Sequence, residues 1–302
     1  MSQPFSVAVI GLGAMGMGAA QSCIRAGLKT YGADLNPTVL DKLKAEGATG
    51  VAKSAVEFAQ ALDAVVLLVV NAQQVKAVLF GENGLAAHLR PGTVVMVSST
   101  ISAQDAQQIS QKLTSLGLLM LDAPVSGGAA KAAAGQMTVM AAGPQQAFTK
   151  LQPVLNAVAG KVYNIGEEIG LGATVKIVHQ LLAGVHIAAG AEAMALAARA
   201  GIPLDLMYDV VTHAAGNSWM FENRMKHVVE GDYTPLSMVD IFVKDLGLVT
   251  DTAKSLKFPL PLASTAFNMF TAASNAGYGK EDDSAVIKIF SGIDLPSKKG
   301  EA

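Results

Sequence analysis

The run Ser6-Val7-Ala8-Val9-Ile10 leads without a break into Gly11-Leu12-Gly13-Ala14-Met15-Gly16, and few stretches restrict a fold as tightly. The β-branched residues read as a strand, the residues after Gly16 as a helix that stops at Gly27. A second strand, Lys29 to Ala33, ends in Asp34, eighteen residues after Gly16. A lone G-x-G-x-x-G is weak evidence. Strand, glycine turn, helix and strand-end acid in this order describe a dinucleotide-binding βαβ unit. Gly11 permits the tight turn, Gly13 lets backbone approach a pyrophosphate, and Gly16 lets helix and strand pack closely. The amides of Leu12, Ala14 and Met15 then open a helix N-terminus toward the phosphates. Asp34 would accept hydrogen bonds from ribose hydroxyls. Its charge repels a 2′-phosphate and Leu35 and Asn36 supply no arginine, so the expected cofactor is NAD and not NADP.

The alternation continues. Asn36-Pro37 starts a helix ending at Gly47, Ala64 to Val70 is an apolar strand, and Thr93 to Val97 is another, followed by a helical segment to Ser115. Leu118 to Leu121 leads to Asp122, Thr138 to Ala142 and Lys161 to Asn164 close the series, and the helix Gln145 to Val158 lies between them. This pattern predicts a doubly wound parallel sheet of Rossmann type, with ligands beyond the carboxyl ends of its strands. Asn71, Thr100 and the loop after Asp122 therefore point at the cofactor. That loop, Asp122-Ala-Pro-Val-Ser-Gly-Gly128, offers the Ser126 hydroxyl and the unencumbered amides of Gly127 and Gly128, a nest suited to a carboxylate. An ordinary strand-to-turn connection is an equal reading.

From Gly170 to Gly201 the chain is apolar on all sides of a predicted long helix, which marks it as buried on most faces. Lys176 interrupts it near the N-terminus, and His179, Gln180 and Ala183 fall on the same side, with Glu192 and Arg199 opposite. Lys176 reads either as a snorkelling or ion-paired lysine or as a functional base, since its charged form faces the unfavourable end of the helix dipole. Beyond Gly201 only helical patterns follow. The expected organisation is an NAD-binding domain over residues 1–168, a long interdomain helix, and an all-α substrate and dimerisation domain over 169–302. The last residues, Leu295 to Ala302, are polar and expected to fray.

Hydrophobic residues make up 51% of the chain and mean hydropathy is +0.39, which raises the possibility of a membrane span. A long uncharged run, Phe258 to Gly279, contains Pro259, Pro261, Asn268 and Asn275 and reads as a buried helix. No basic region precedes the first apolar segment, so no signal peptide is expected. The single cysteine, Cys23, lies in a helical stretch, reads as packing, and fits a reducing, cytoplasmic setting. A net charge of −2 with no basic tract argues against nucleic acid, no metal is called for, and the apolar second half favours a homodimer or homotetramer.

Four ordered motifs carry a resemblance: the glycine loop, Asp122-Ala-Pro-Val-Ser-Gly-Gly128, Gly172-x-x-x-Lys176, and Lys244-Asp245-Leu246. Together, over essentially the whole chain, they resemble the 3-hydroxyisobutyrate dehydrogenase, or β-hydroxyacid dehydrogenase, family. The resemblance implies that Lys176 is catalytic, that Ser126, Gly127 and Gly128 hold the substrate carboxylate, and that Thr100 and Lys244 border the nicotinamide. One departure stands out. Where the family has asparagine one turn after the lysine, this chain has His179 and then Gln180. The runs Lys176 to His186 and Gly216 to Asn223 are similar to the family's L-threonate dehydrogenase branch, whose substrates are four-carbon polyhydroxy acids oxidised at C2 in carbohydrate-acid catabolism. Polar groups at His179, Gln180 and Asn217 suit a substrate richer in hydroxyls, though a helix-packing role for His179 is also open.

The implied reaction is oxidation of a small-molecule hydroxy acid, with neutral Lys176 taking the hydroxyl proton as hydride passes to the nicotinamide. Burial, the helix N-terminus, Lys244 and the nicotinamide's positive charge would all favour the neutral amine. The 3-hydroxyisobutyrate and tartronate semialdehyde enzymes are alternatives within this class, and a redox sensor that binds NAD without turnover is one outside it. The sister imine reductases lack a lysine at this position, and no arginine cluster for a phosphorylated substrate is present.

Overall fold

The computed structural model describes residues 4–298, so residues 299–302 of the polar C-terminal run lie outside it. The chain forms two compact units that part between Lys176 and Ile177. The first is built on strands β1 (Ser6–Ile10), β2 (Lys29–Ala33), β3 (Gly50–Ala52), β4 (Ala64–Leu67), β5 (Val94–Val97), β6 (Leu119–Asp122), β7 (Val125–Ser126), β8 (Met137–Ala142) and β9 (Ala159–Gly166). Their order is β3-β2-β1-β4-β5-β6-β8-β7, with β9 on β8.

From β3 through β6 every pairing is parallel, and β1, β4 and β5 are buried along their whole length. That explains their unalternating apolar sequences, because both faces of the sheet are covered. On one face Val7, Val9, Val66 and Met96 pack against Ala19 and Cys23 of α1 (Ala14–Arg25) and Leu151 and Val154 of α6 (Gln145–Val158). On the other, Ala8, Ile10, Val65 and Val97 meet α3 (Ala72–Phe80) and α4 (Ala103–Ser115) through Val75, Leu79, Ile109 and Leu113. Cys23 is sealed in the first of these layers, and burial pushes its thiol up to about 12, which leaves it a packing residue.

The doubly wound parallel order expected from the sequence holds from β3 to β6, and the sheet becomes mixed beyond it. β8 runs antiparallel to β6 and β7, and β9 returns parallel to β8. The reason lies in the connection. Between β6 and β8 stand the two-residue β7, which itself pairs antiparallel with β8, and the six-residue α5 (Gly128–Ala133). The chain therefore doubles back after Asp122.

Helix α7 (Leu171–Arg199) begins in the first unit and runs on through the second. Around it stand α8 (Leu204–Thr212), α9 (Trp219–Glu230), α10 (Val239–Ser255) and α11 (Pro261–Ala273), followed by a π turn at Ser274–Tyr278 and a 3-10 turn at Asp283–Ile289. Glycines set the spacing. A Cβ on Gly184 would come within 2.9 Å of Leu246 in α10, and one on Gly190 within 3.1 Å of Phe221 in α9. The core fills with Ile187, Met194, Met225, Phe242, Leu246 and Phe270, and a buried Arg224–Asp283 ion pair (2.7 Å) ties α9 to the last turn.

Among the described residues, α7 is also the one helix long and apolar enough to cross a membrane by length and composition, and half of its most apolar window is buried in the fold. Burial is less complete than its sequence implies. Val178 (58% exposed), Leu182 (52%) and Leu196 (70%) stand on the outside of the chain.

Candidate active site

The glycine loop has the geometry that its sequence demands. Gly11 has φ +86°, and a Cβ there would lie 2.8 Å from the Leu68 carbonyl oxygen, while one on Gly16 would lie 1.7 Å from that of Gly11. Only glycine fits at either place. At Gly13, the N-cap of α1, an added Cβ meets nothing within 4 Å, so that side of the loop is open to an incoming group. Asp34, partly exposed at the end of β2, braces the turn: Oδ2 accepts from the Leu12 N–H (2.7 Å) and Oδ1 from the Asn36 N–H (2.8 Å). Each carboxylate oxygen has a second lone pair, so ribose hydroxyls can add to these bonds. An open loop at a helix N-terminus beside an acceptor carboxylate fits a dinucleotide.

The other strand ends gather the remaining candidates of this unit. Asn71 follows β4 and caps α3, its side-chain oxygen accepting from the Gln74 N–H (2.9 Å). Thr100 follows β5, directly after Ser98 and Ser99, which are buried. After β6 the chain passes through Pro124 to Ser126, and Gly127 and Gly128 both have positive φ (+130° and +71°). Successive amides in this conformation make a concave donor surface, the geometry proposed for a carboxylate nest. A side chain at Gly127 would press on Lys131 at 2.9 Å, whereas the space beside Gly128 is open.

Asp122, where this loop begins, has a second job that its sequence did not disclose. Its side chain is 1% exposed, and Oδ2 accepts from the N–H groups of Gly170 (2.9 Å) and Ala173 (3.0 Å) at the start of α7, with the Gly172 amide adding a third bond. Gly172 is what lets the helix come so near. A Cβ there would sit 2.6 Å from the Asp122 carbonyl oxygen and 2.7 Å from that of Met140. Lys176, buried at 6% exposure, is one turn beyond Ala173 on the same face of α7. The carboxylate that ends β6 therefore fixes the helix end from which Lys176 projects.

In the second unit, three of the other candidates join one polar chain. The His179 Nδ1 meets Gln180 Oε1 at 2.9 Å, Gln180 Nε2 donates to Asp245 Oδ2 at 2.5 Å, and Lys244 Nζ lies 2.7 Å from Asp245 Oδ1. Gln180 and Asp245 are buried, His179 is exposed. Asn217 stands apart from this chain. It is held in the α8–α9 turn, where Nδ2 donates to the Thr212 carbonyl (3.3 Å) and the Glu222 carboxylate (3.4 Å). Among the described residues no group of three His, Cys, Asp or Glu side chains is placed to hold a metal.

Comparison with known proteins decides what this assembly is. Residues 6–166 match the family described as the NAD binding domain of 6-phosphogluconate dehydrogenase, and residues 170–290 that described as NAD-binding of NADP-dependent 3-hydroxyisobutyrate dehydrogenase. The chain belongs to the 3-hydroxyisobutyrate dehydrogenase family. Within it, the chain is 80% identical to the L-threonate dehydrogenase of Haemophilus influenzae, covering 98% of this chain and 99% of that one. It is 74% identical to the Escherichia coli K12 protein of the same name, over 98% of both. A crystal structure described as 3-hydroxyisobutyrate dehydrogenase from Salmonella typhimurium superposes with a TM-score of 0.92 at 73% identity, covering 95% of this chain and all of that one.

The protein is thus an NAD-dependent hydroxyacid dehydrogenase, with a Rossmann unit followed by a helical one. Within this family the residues that sequence reading missed are two aspartates, Asp122 as the clamp on α7 and Asp245 as the hub of the polar chain. Both stand inside quoted motifs, and the signal was their acidity in apolar surroundings.

The clamp should be visible in the pH dependence of stability. Burial raises the Asp122 carboxyl from its ordinary 3.8 to about 6, against the lowering effect of the three amides. A raised folded value means that the folded state holds the proton more tightly, so this group's contribution falls as pH rises from about 4 to about 6 and is constant above. Asp122→Asn abolishes that titration. Relative to the parent, the variant should gain about 3 kcal/mol or less between those pH values, read from denaturant midpoints. Parallel curves for the two proteins would show that the carboxyl does not titrate in this window.

Proposed function

We propose that this dehydrogenase oxidises L-threonate at C2 to 2-dehydro-L-erythronate, with Lys176 as general acid and base. The observation that carries the substrate is the identity of 80% and 74% over full length to two proteins named for that activity. The observation that favours Lys176 is a buried lysine on a helix end held by the carboxylate that begins the Ser126 loop.

Bound NAD supplies the hydride acceptor. The chain's own residues do the rest. The Ser126 hydroxyl and the amides of Gly127 and Gly128 bind the substrate carboxylate, which fixes one end of the acid. Neutral Lys176 takes the proton from the C2 hydroxyl at Nζ as the C2–H bond gives up its electron pair as hydride, leaving a carbonyl at C2. Thr100 and Lys244 border the nicotinamide, and Asn71 and the glycine loop hold the rest of the cofactor. His179, Gln180 and, apart from them in the α8–α9 turn, Asn217 are the polar groups assigned to a polyhydroxy acid. A second reading, 3-hydroxyisobutyrate as substrate, is favoured by the description of the Salmonella typhimurium structure.

The setting is cytoplasmic, consistent with one buried, unreactive cysteine. The protein acts as a homodimer or higher homo-oligomer, with neither nucleic acid nor membrane as partner. Support comes from α7, where exposed Val178, Leu182, Ala189 and Leu196 are four, seven and seven residues apart, the spacing of a helix–helix seam.

Four measurements test this reading. NADH formation with L-threonate, D-glycerate and 3-hydroxyisobutyrate should give the highest kcat/KM for L-threonate. Lys176→Ala should keep NAD binding while kcat falls about 10²–10⁴-fold, and near-normal turnover would remove the lysine from the mechanism. In Asp34→Ser combined with Leu35→Arg, the preference for NAD should shift toward NADP, whereas an unaltered ratio of kcat/KM values would refute the role given to Asp34. For assembly, Leu182→Glu should lower the mass seen by light scattering, and an unchanged mass places the interface elsewhere.

A further inference from the structure

The nest at Gly127 and Gly128 hangs between two anchors. On one side Ser126 pairs with Thr138 in the ladder between β7 and β8. On the other the chain enters α5, six residues long and too short to hold a helical form unaided. The two glycines have positive φ and no side chain to restrict their dihedrals, so the form of the nest depends on where α5 is held. A shift of α5 reaches the nest directly, because the Lys131 stem already fills the space beside Gly127. The element that holds α5 is α1. A Cβ on Gly18 would lie 2.5 Å from the Ala133 amide nitrogen and 2.6 Å from the Ala132 carbonyl carbon, so glycine is what lets α5 settle there.

Two polar side chains of α1 close this joint. Gly18, Ser22 and Arg25 are four and three residues apart and share one face of the helix. Ser22, 3% exposed, donates its hydroxyl to the Ala132 carbonyl (3.0 Å) and accepts from Arg25 Nη2 (2.7 Å). Arg25 Nη2 also donates to the Ala133 carbonyl. The last carbonyls of a helix look outward for donors, and here α1 supplies them. Arg25 itself stands in the last turn of α1, so one guanidinium meets the carbonyl ends of two helices.

We infer that Ser22 and Arg25 are positioning residues for the substrate: by holding α5 against α1 they keep the Gly127–Gly128 nest in the form that receives the carboxylate. The inference rests on the proposed binding of the hydroxy acid by that nest. Amides whose directions are fixed before the anion arrives bind it without an ordering cost, whereas two loose glycines would have to order on binding. The same helix opens at Gly13 on the side offered to the dinucleotide. One element thus carries the reference for both reactants, the cofactor at its first turn and the acid, through α5, at its middle and last turns.

Backbone hydrogen exchange of the full-length protein, followed by mass spectrometry, reads the joint without a ligand. In Ser22→Ala and in Arg25→Met, exchange over residues 126–134 should quicken about five-fold or more, with β1 unchanged. In steady-state assays, KM for the hydroxy acid that the parent oxidises best should rise about three- to ten-fold, while kcat and KM for NAD change by less than about two-fold. That split marks a weaker hold on a non-reacting end of the substrate, whereas a purely structural loss would lower the active fraction and leave KM in place. Arg25→Lys keeps a donor for both oxygens and should recover most of the lost affinity. Exchange at the parent rate in both variants would overturn the inference, as would faster exchange with an unchanged KM for the acid. An unchanged KM in Ser126→Ala would instead refute the carboxylate site itself, and the inference would fall with it even where the exchange rates show that α1 holds α5.

Discussion

Asp122 lies where β6 stops and the Ser126 loop begins, and a carboxylate sealed from water at that depth is costly unless donors replace its hydration. Here they are the first amides of α7, at the positive end of a helix that runs for 29 residues. The bond is reciprocal. The helix end gains partners for amides that no helical turn can satisfy, and the carboxylate gains the only environment in which its charge is tolerable. Because Lys176 is one turn further on and Ser126 four residues along the loop, both are referred to the same atom pair. Rotation of the helix about its axis, or a slip along it, would break these bonds before it moved the lysine.

The helical unit solves a different problem. Its main helix is almost entirely apolar, and Gly184 and Gly190 let α9 and α10 approach it closely enough to exclude water. The buried Gln180 and Asp245 are matched within it by a chain of contacts that runs from Lys244 through Asp245 and Gln180 to the exposed His179. In a network of this kind each member's orientation depends on the next. That makes a single conservative change in a buried residue consequential for an exposed one.

What could be read from the sequence divides along the range of the interactions. The glycine loop and Asp34 were legible because their physics is local: turn, helix start and strand-end acid fall within a few dozen residues. Buried strands were legible as unbroken apolar runs, and the helix Gln145–Val158 has the predicted ends. The antiparallel return of β8 was hidden because a strand pattern has no direction. The clamp on α7 joins residues 48 and 51 positions apart, and the Gln180–Asp245 bond spans 65, so no window of sequence contains both partners. Exposed Leu182 and Leu196 show the converse limit. An apolar residue reports that it seeks cover, and says nothing of whether its own chain provides it.

The two ends of the Rossmann unit turn out to use one device twice. Gly11-Leu12-Gly13 and Gly170-Leu171-Gly172 are the same tripeptide, each opening a helix, each with its first glycine at positive φ (+86° and +104°). Each is latched by a strand-end aspartate through backbone amides, Asp34 to Leu12 and Asp122 to Gly170 and Ala173. The difference is solvent. Asp34 is partly exposed and keeps lone pairs that solvent can reach, as the ribose-binding role proposed for it requires. Asp122 is closed in, accepts three amides, and is raised to about 6 by its burial, so its capacity is spent within the protein. The same local chemistry thus leaves one latch open to water and closes the other into a structural joint, and burial makes the difference.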